Sequence, residues 1–311
     1  MTSAAHQRGP RLWAIVGATG TGKTDLSLRL AEALIGCGRG AEIVNADAMQ
    51  LYRGMDIGTA KLPPSERRRV AHHLFDVLEP SEDAAVAWYQ QAAREAADEA
   101  FSRGVDVILV GGSGLYVSSV LYDFRFPPRD EKVRAGLERE LAEEGAAALY
   151  ERLRQVDPAS AARIDPRNGR RVVRALEVVA QGAAGHGAAL PDQPVLWRPD
   201  TTVIGVHLER AELVERLDRR VEGMWTEGLL DEVRELRERG LERGTTARRA
   251  IGYAQALDQL DGRLDQDEAI AQTQSLTRRY ARRQVSWFRR YPDVRWTAPD
   301  VDAARLADSD A

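Results

Sequence analysis

Cysteine is nearly absent from this chain. Its 311 residues include one, Cys37, together with five histidines, four methionines and 6% aromatic side chains. A lone thiol excludes an intrachain disulfide framework and a thiolate zinc site, and points to the cytoplasm. No apolar run approaches the roughly 18 residues of a membrane span. The N-terminal LWAIVG is too short, and too soon followed by glycines, to be the core of a signal peptide. Charge of one sign is lacking as well: the net value is −4, so the whole-molecule field does not mark a binder of polyanions. What remains is an ordinary globular composition, 43% hydrophobic and 30% charged, long enough for a core domain carrying a smaller one.

The basic residues are unevenly placed. Thr277 to Trp296 holds seven arginines and one acid, and Arg163 to Arg174 holds five arginines and one acid. Two such segments fit nucleic-acid binding by particular surfaces, or arginines that complement helix ends. In the C-terminal segment, helical spacing puts Arg279, Arg283 and Arg290 on one side and Tyr280, Trp287 and Tyr291 on another. The aromatics are expected in the core, the arginines against phosphates.

Short apolar runs at Leu12–Gly17, Glu42–Asn45, Val105–Val110 and Val203–Leu208 read as buried parallel strands. Helical patterns at Lys23–Ile35, Val86–Arg103, Arg210–Arg239, Ala247–Leu260 and Asp267–Arg290 alternate with them. The expected fold is α/β: a P-loop NTPase-like parallel sheet with helices on both faces. Residues 125–199 break the rhythm with helices at Glu131–Glu143, Ala147–Gln155 and Arg170–Gln181, then a Gly/Ala/Pro-rich loop, GAAGHGAALPDQPVLWRPD. They read as an inserted helical domain, with residues 1–124 and 200–311 forming the core. The last residues, APDVDAARLADSDA, read as a weakly ordered acidic tail.

Gly17-Ala18-Thr19-Gly20-Thr21-Gly22-Lys23-Thr24 is a GxxxxGK[ST] loop between the first strand and the first helix. Its backbone N–H groups can wrap a phosphate, Lys23 adds a point charge, and Thr24 can ligate magnesium or bond a phosphate oxygen. An NTPase carries an acid at the end of another core strand. Here VDVILV ends instead in Gly111-Gly112-Ser113. Asp47, just past Glu42–Asn45, is the carboxylate expected to face the loop if that strand neighbours the first, able to accept a proton or simply to cap a turn. His72 and His73, adjacent in an extended segment, point opposite ways and suit hydrogen bonding better than a shared metal. On these residues alone, a metabolite kinase with ATP as donor remains open, as does a non-catalytic RNA-binding regulator that senses a ligand at the loop.

Taken together, GATGTGKT (17–24), NADAMQLYRGMDIGTAK (45–61), HHLFDV (72–77), LVGGSGLYV (109–117), DPASAARIDPRNGRRVVRALEV (157–178), AIGYAQAL (250–257) and TRRYARRQVSWFRR (277–290) resemble the bacterial tRNA dimethylallyltransferases. The pieces run in the family's order. Ala18 and Leu62 stand where prolines are usual, Ser113 where a threonine is, and Ala84-Ala85 and Trp88-Tyr89 where Tyr-Ser and Asp-Phe pairs are common.

The resemblance implies transfer of a dimethylallyl group from its diphosphate to N6 of adenosine 37 in tRNA, beside the anticodon, in a cytoplasmic, monomeric enzyme with no obligate protein partner. It implies that residues 17–24, with Arg220, hold the diphosphate, and that Asp47, Lys23, Thr24 and Ser113 are catalytic, with Mg2+ at Thr24. It implies tRNA contacts at Asp47, Ala48, Met49 and Gln50, at Arg134, Arg170, Arg171 and Arg174, at Arg249, Gly252 and Tyr253, and at Arg279 and Arg283. No DDxxD pair of the terpenoid type is present, and Cys37 alone cannot form the zinc-finger tail of eukaryotic relatives. A relative that prenylates free adenine nucleotides is a close variant of this reading.

Overall fold

The structure is a computed structural model that describes residues 9–127, 130–182, 195–291 and 293–308. From the N-terminus, β1 (Leu12–Gly17) leads through the glycine-rich loop into α1 (Lys23–Gly36). Then come β2 (Gly40–Asn45), β3 (Ala71–His73), α2 (Val86–Ser102), β4 (Val105–Gly111) and α3 (Gly114–Leu121). Helices α4 (Glu131–Val156), α5 (Pro158–Ala161) and α6 (Gly169–Ala180) follow. After β5 (Thr201–Val206) the chain forms α7 (Arg210–Thr226), α8 (Leu229–Glu238), α9 (Tyr253–Leu260) and α10 (Gln266–Phe288), and ends with β6 (Val294–Thr297) and α11 (Ala303–Asp308).

The six strands make one sheet in the order β3-β2-β4-β1-β5-β6, each neighbouring pair parallel. Leu12 lies opposite Val107 of β4 and Thr201 of β5, so β1 is central. A central strand is buried on both faces, which is why LWAIVG is apolar throughout instead of alternating. Trp13, Ile15, Ile43, Ile108 and Ile204 pack with Leu26, Leu30 and Leu34 of α1 and Ala303 of α11 in one buried cluster. The alternate residues Ala14, Val16, Val44 and Leu109 are equally buried, and α2 and α10 lie against the strands. A parallel sheet collects the C-terminal ends of its strands along one edge, where ligands of open α/β folds bind. Here that edge gathers the loop after β1, the Asp47 turn after β2 and the Gly111–Ser113 turn after β4.

Several elements differ from expectation. The helix expected over Arg210–Arg239 breaks at Gly228, whose φ of 102° is left-handed and ends α7 before α8. The one expected over Ala247–Leu260 is a 3-10 turn at Ala247–Arg249, then α9 from Tyr253, with Gly252 at φ 92° between them. Strands β3 and β6, three and four residues long, are too short and too polar to show a period. The tail expected to be weakly ordered, which begins at Ala298 just after β6, instead supplies α11; Arg29 of α1 holds it through the Val301 carbonyl at 2.6 Å and the Pro299 carbonyl. Residues 309–311 lie outside the described residues.

Tyr122–Leu196 forms a second compact unit, the remainder of the chain the first. Within it, Leu137, Leu149, Leu153, Val172, Val173 and Leu176 form the core. Asp130 caps α4 by accepting from the Lys132 and Val133 N–H groups, and Asn168 caps α6 through Arg171 N–H. The helix α4 departs from helical geometry at Gly145, with φ 82° and ψ 167°. Most of the Gly/Ala/Pro-rich loop, residues 183–194, lies outside the described residues.

The electrostatic pivot of this unit is Glu177, whose side chain is fully buried. Its carboxylate meets Arg174 at 2.9 Å and Arg134 at 3.5 Å, and accepts from the Asp130 N–H at 3.0 Å. Glu177→Ala removes an acid that two guanidinium groups depend on. It is expected to cost this unit roughly 3 kcal/mol, the low end for a broken buried pair because both arginines keep partial access to water. Hydrogen exchange is the check: amides of α4 and α6 should lose protection while those of β1 and β4 keep theirs.

Candidate active site

The loop after β1 begins in a strand and ends in a helix whose N-terminus carries no side-chain cap, so its first N–H groups remain available to an anion. The loop is braced from within. Thr21 Oγ1 donates to the Ala18 carbonyl at 2.9 Å, and Lys23 Nζ donates to the same oxygen at 2.6 Å. It is also braced from outside: Arg220 of α7 donates to Thr19 Oγ1 at 3.2 Å, and Gln284 of α10 accepts from the Thr19 N–H at 2.8 Å.

Asp47 sits in a turn built by Asn45. The Asn45 side chain accepts from the Asp47 N–H at 2.9 Å and donates to the Asp47 and Leu74 carbonyls. Tyr89, fully buried, donates to the Asn45 carbonyl at 2.8 Å from below. One Asp47 carboxylate oxygen accepts from the Met49 N–H at 3.0 Å; the carboxylate lines the cavity beside the loop. That cavity has a volume of about 940 Å³, and Thr19, Lys23, Thr24, Gly112, Arg216 and Arg220 share its wall with Asp47.

The charges in the cavity are coupled. Burial lowers the Lys23 ammonium to about 8, with Asp47 opposing the shift and Arg220 adding to it. Burial also lowers Arg220, again opposed by Asp47 and reinforced by Arg216. The Nε of Arg220 is buried without a hydrogen-bond partner. Tyr280 is pushed up to about 12, first by burial and then by the Asp47 charge. Asp47, Lys23 and Arg220 therefore act on one another across a single space, although β2 is not the neighbour of β1 on which the expectation for Asp47 is conditional, since β4 lies between them.

The missing acid after β4 has a steric cause. A Cβ on Gly111 would stand 2.3 Å from the Ala46 carbonyl oxygen, and one on Gly112 would stand 2.3 Å from Gln284 Nε2. The backbone leaves no room for a side chain at Gly111, and one at Gly112 would have to displace the Gln284 amide. Gln284 fills the space and donates to the Gly112 carbonyl at 2.8 Å. Ser113, with little exposed surface, accepts from the Ala48 N–H at 3.1 Å and lies 3.5 Å from the Tyr280 hydroxyl. Its hydroxyl thus fixes the turn that carries Asp47.

The remaining residues singled out in the sequence divide into two sets. Gln50 lines the cavity and donates to the Thr59 carbonyl at 3.1 Å, while the Met49 N–H donates to the Asp47 carboxylate. Arg170, Arg171, Arg249, Arg279 and Arg283 are exposed. By contrast, Ala48, Gly252 and Tyr253 are buried. The Tyr253 hydroxyl donates to Glu232 at 2.5 Å, and Glu232 also accepts from the Asp56 and Ile57 N–H groups. Tyr253 therefore holds the loop of residues 56–58 and presents no surface to a macromolecule. Arg134 and Arg174 are tied to Glu177.

Sequence reasoning passed over Gln284, Tyr280, Glu232 and Arg216. Gln284 had a signal: it shares the buried stripe of α10 with Ala281 and Phe288, where a polar side chain needs partners. His73 bonds Glu42 at 2.7 Å and His72 the Val70 carbonyl at 2.7 Å, hydrogen-bonding roles as expected. Among the described residues no group of three or more His, Cys, Asp or Glu could cage a metal, and no helix is long and apolar enough to cross a membrane.

The family model described as IPP transferase matches residues 50–291. The tRNA dimethylallyltransferase of Clavibacter sepedonicus is 57% identical over 92% of this chain and 93% of its own length. That of Kineococcus radiotolerans is 54% identical over 94% of each. Among solved structures, the tRNA isopentenylpyrophosphate transferase of Bacillus halodurans is 38% identical with a TM-score of 0.69, covering 96% of both chains. A eukaryotic dimethylallyltransferase described as acting on tRNA is 25% identical with a TM-score of 0.75, covering 97% of this chain and 76% of its own. The glycine-rich loop, the aspartate that shares its cavity and the Gly111–Gly112 pair where an NTPase has an acid thus sit in a sequence whose likeness runs nearly end to end, and the chain belongs to the IPP transferase family.

Proposed function

We propose that the protein transfers a dimethylallyl group from dimethylallyl diphosphate to N6 of adenosine 37 in the anticodon loop of tRNA, in the cytoplasm, releasing pyrophosphate. The observation that carries this reading is the pairing of one carboxylate, Asp47, with the cations Lys23 and Arg220 across a cavity whose β4 edge admits no second acid. The kinase reading, which that missing acid already weakened, gains nothing from Gln284 in its place.

The loop N–H groups, Lys23 and Arg220 hold the diphosphate. The N6 lone pair attacks C1 of the prenyl chain, the C1–O bond breaks, and its electrons pass to the diphosphate oxygen. Asp47 accepts the proton that leaves N6. The exocyclic amine is a weak nucleophile, so holding it in line with C1 supplies much of the rate. Met49 and Gln50 flank the acceptor, and Ser113 holds the Asp47 turn through the Ala48 N–H. To reach the cavity the target base leaves its stack.

The residues also suit magnesium. Thr24 is exposed at the start of α1 on the cavity wall, and with no protein cage nearby the ion would take one hydroxyl, diphosphate oxygens and water. Bound there, it supplies charge neutralisation for the leaving group. The exposed arginines of α6, Arg170 and Arg171, and those at Arg249, Arg279 and Arg283 suit tRNA phosphates. The helical unit is read as a tRNA-binding domain on that basis.

Incubation with tRNA and dimethylallyl diphosphate, followed by nucleoside mass analysis, is expected to show prenylated adenosine. ATP consumption without that product would overturn the reading. Asp47→Asn should lower turnover by about 10²–10⁴-fold, the range for a lost general base, while tRNA binding measured by filter retention changes little.

Lys23 carries a pH signature. Free, its ammonium titrates at about 8; a bound diphosphate raises that value. The attraction is then whole below the free value and falls as pH rises above it, by up to about tenfold per unit until the bound value is passed. Calorimetric titration with dimethylallyl diphosphate should show this decline together with proton uptake near pH 8.5. Lys23→Arg should show neither.

A further inference from the structure

Trp88 is the most exposed tryptophan of the described residues, 40% accessible on the first turn of α2. It stands where the family commonly has an aspartate. The neighbouring Tyr89 turns inward, its hydroxyl on the Asn45 carbonyl and its ring 4.7 Å from that of Tyr116. Three segments meet around this turn. Tyr116 donates to the Ala84 carbonyl at 3.2 Å, which fastens α3 and its exposed Leu115 beside it. Asp83 accepts from the Thr245 and Thr246 N–H groups at 3.0 and 3.2 Å, which fastens the turn that carries exposed Arg248 and Arg249. The Asn45 contact ties it to the Asp47 turn.

The far side of α3 is bound to α10, where Trp287 donates to Ser118 at 3.0 Å and Arg283 is exposed. The segments fastened to the turn of this exposed indole thus carry exposed Leu115, Arg248 and Arg249, α10 beyond α3 carries Arg283, and Tyr89 links the turn to the one that holds Asp47. Flat aromatic surface interleaved with cations is the pattern that binds unstacked nucleic acid: the cations take the backbone, and a base covers the ring. A folded protein partner would want a broader apolar core inside its polar rim.

We propose that Trp88 is a stacking platform for one base of the RNA substrate other than the target adenosine. The base would be unpaired, displaced when the loop opens to deliver its neighbour. This rests on the reading of tRNA as substrate, and it assigns to the 84–89 segment a contact that the commoner aspartate could not make.

The experiment uses anticodon stem-loop RNAs with single abasic nucleotides placed in turn along the loop, and binding is measured with the full-length protein. Wild type should lose about tenfold or more in affinity at one position, the scale of a single base–aromatic stack. Trp88→Ala should bind the intact RNA weakly by a similar factor and lose nothing further at that position. Trp88→Phe should restore the positional loss, and KM for the prenyl diphosphate should be the same in all three. The proposal is overturned if Trp88→Ala binds the intact RNA as tightly as wild type, or if each abasic RNA loses the same factor with both proteins. Binding is read apart from turnover. A wild-type protein that binds RNA but makes no prenylated adenosine would overturn the enzymatic reading alone.

Discussion

The side-chain amide of Gln284 accepts from the Thr19 N–H and donates to the Gly112 carbonyl, each at 2.8 Å. It thereby ties the phosphate loop after β1 to the turn after β4. Two buried backbone groups depend on it, and an apolar side chain there would leave both unpaired, at a cost well above the net value of the bonds themselves. The same amide sets the chemistry of the edge. With Gly111 against the Ala46 carbonyl and Gly112 against Gln284, β4 cannot end in the carboxylate that an NTPase uses for its metal. The acid coupled to Lys23 and Arg220 therefore comes from the turn after β2 and not from β4, while Asp25, Asp56, Glu66 and Glu227 line other parts of the same cavity. On the proposed reading, Lys23 and Arg220 beside the loop grip the departing diphosphate, and Asp47 stands across from them to take the proton.

That arrangement is strained electrostatically in the free protein. Lys23 and Arg220 are both pulled below their usual values by burial, Arg220 adds to the burden on Lys23, and Arg216 adds to that on Arg220. Asp47 offsets part of this but is shared between them. Cations held close and partly out of water are costly until an anion arrives. Binding of a diphosphate relieves the repulsion, and the free energy so released is available to order the site.

The sheet and its principal helices were legible because burial on both faces leaves continuous apolar runs, as in LWAIVG and VDVILV, and because amphipathic helices repeat at their own period. The phosphate loop and Asp47 were legible for a different reason, as residue types at strand ends. What escaped were features made by contact between distant segments. Gln284 reads as one polar letter in an arginine-rich helix until its partners, 265 and 172 positions away, are seen. Tyr253 sits in a segment that resembles an RNA contact, yet the chain buries its ring under Gly58 and gives its hydroxyl to Glu232. Arg134 and Arg174 likewise look like phosphate ligands in a row of arginines until Glu177 appears between them. Composition and spacing show which residues could meet a phosphate; packing decides which are already engaged.

The wall opposite the phosphate loop follows from the same logic. Between residues 60 and 76, five non-glycine residues, Ala60, Arg68, Arg69, Leu74 and Asp76, hold left-handed backbone, each a conformation that persists only when its surroundings impose it. Lys61 supplies much of that constraint. Its buried ammonium pairs with Asp56 at 2.7 Å and Asp76 at 2.6 Å and donates to the Tyr52 carbonyl at 2.7 Å. Glu232 holds the adjoining turn from α8 through the Asp56 and Ile57 N–H groups. A flexible wall would let water reach the prenyl cation as its bond to oxygen lengthens, and water would then compete with a weak amine nucleophile. A wall braced by a buried ammonium and a half-buried carboxylate keeps its shape without closing over the mouth, where on the proposed reading an RNA base enters. The stiffness therefore belongs to the cradle, and the exposed aromatic and basic groups at the rim are left to fit the RNA.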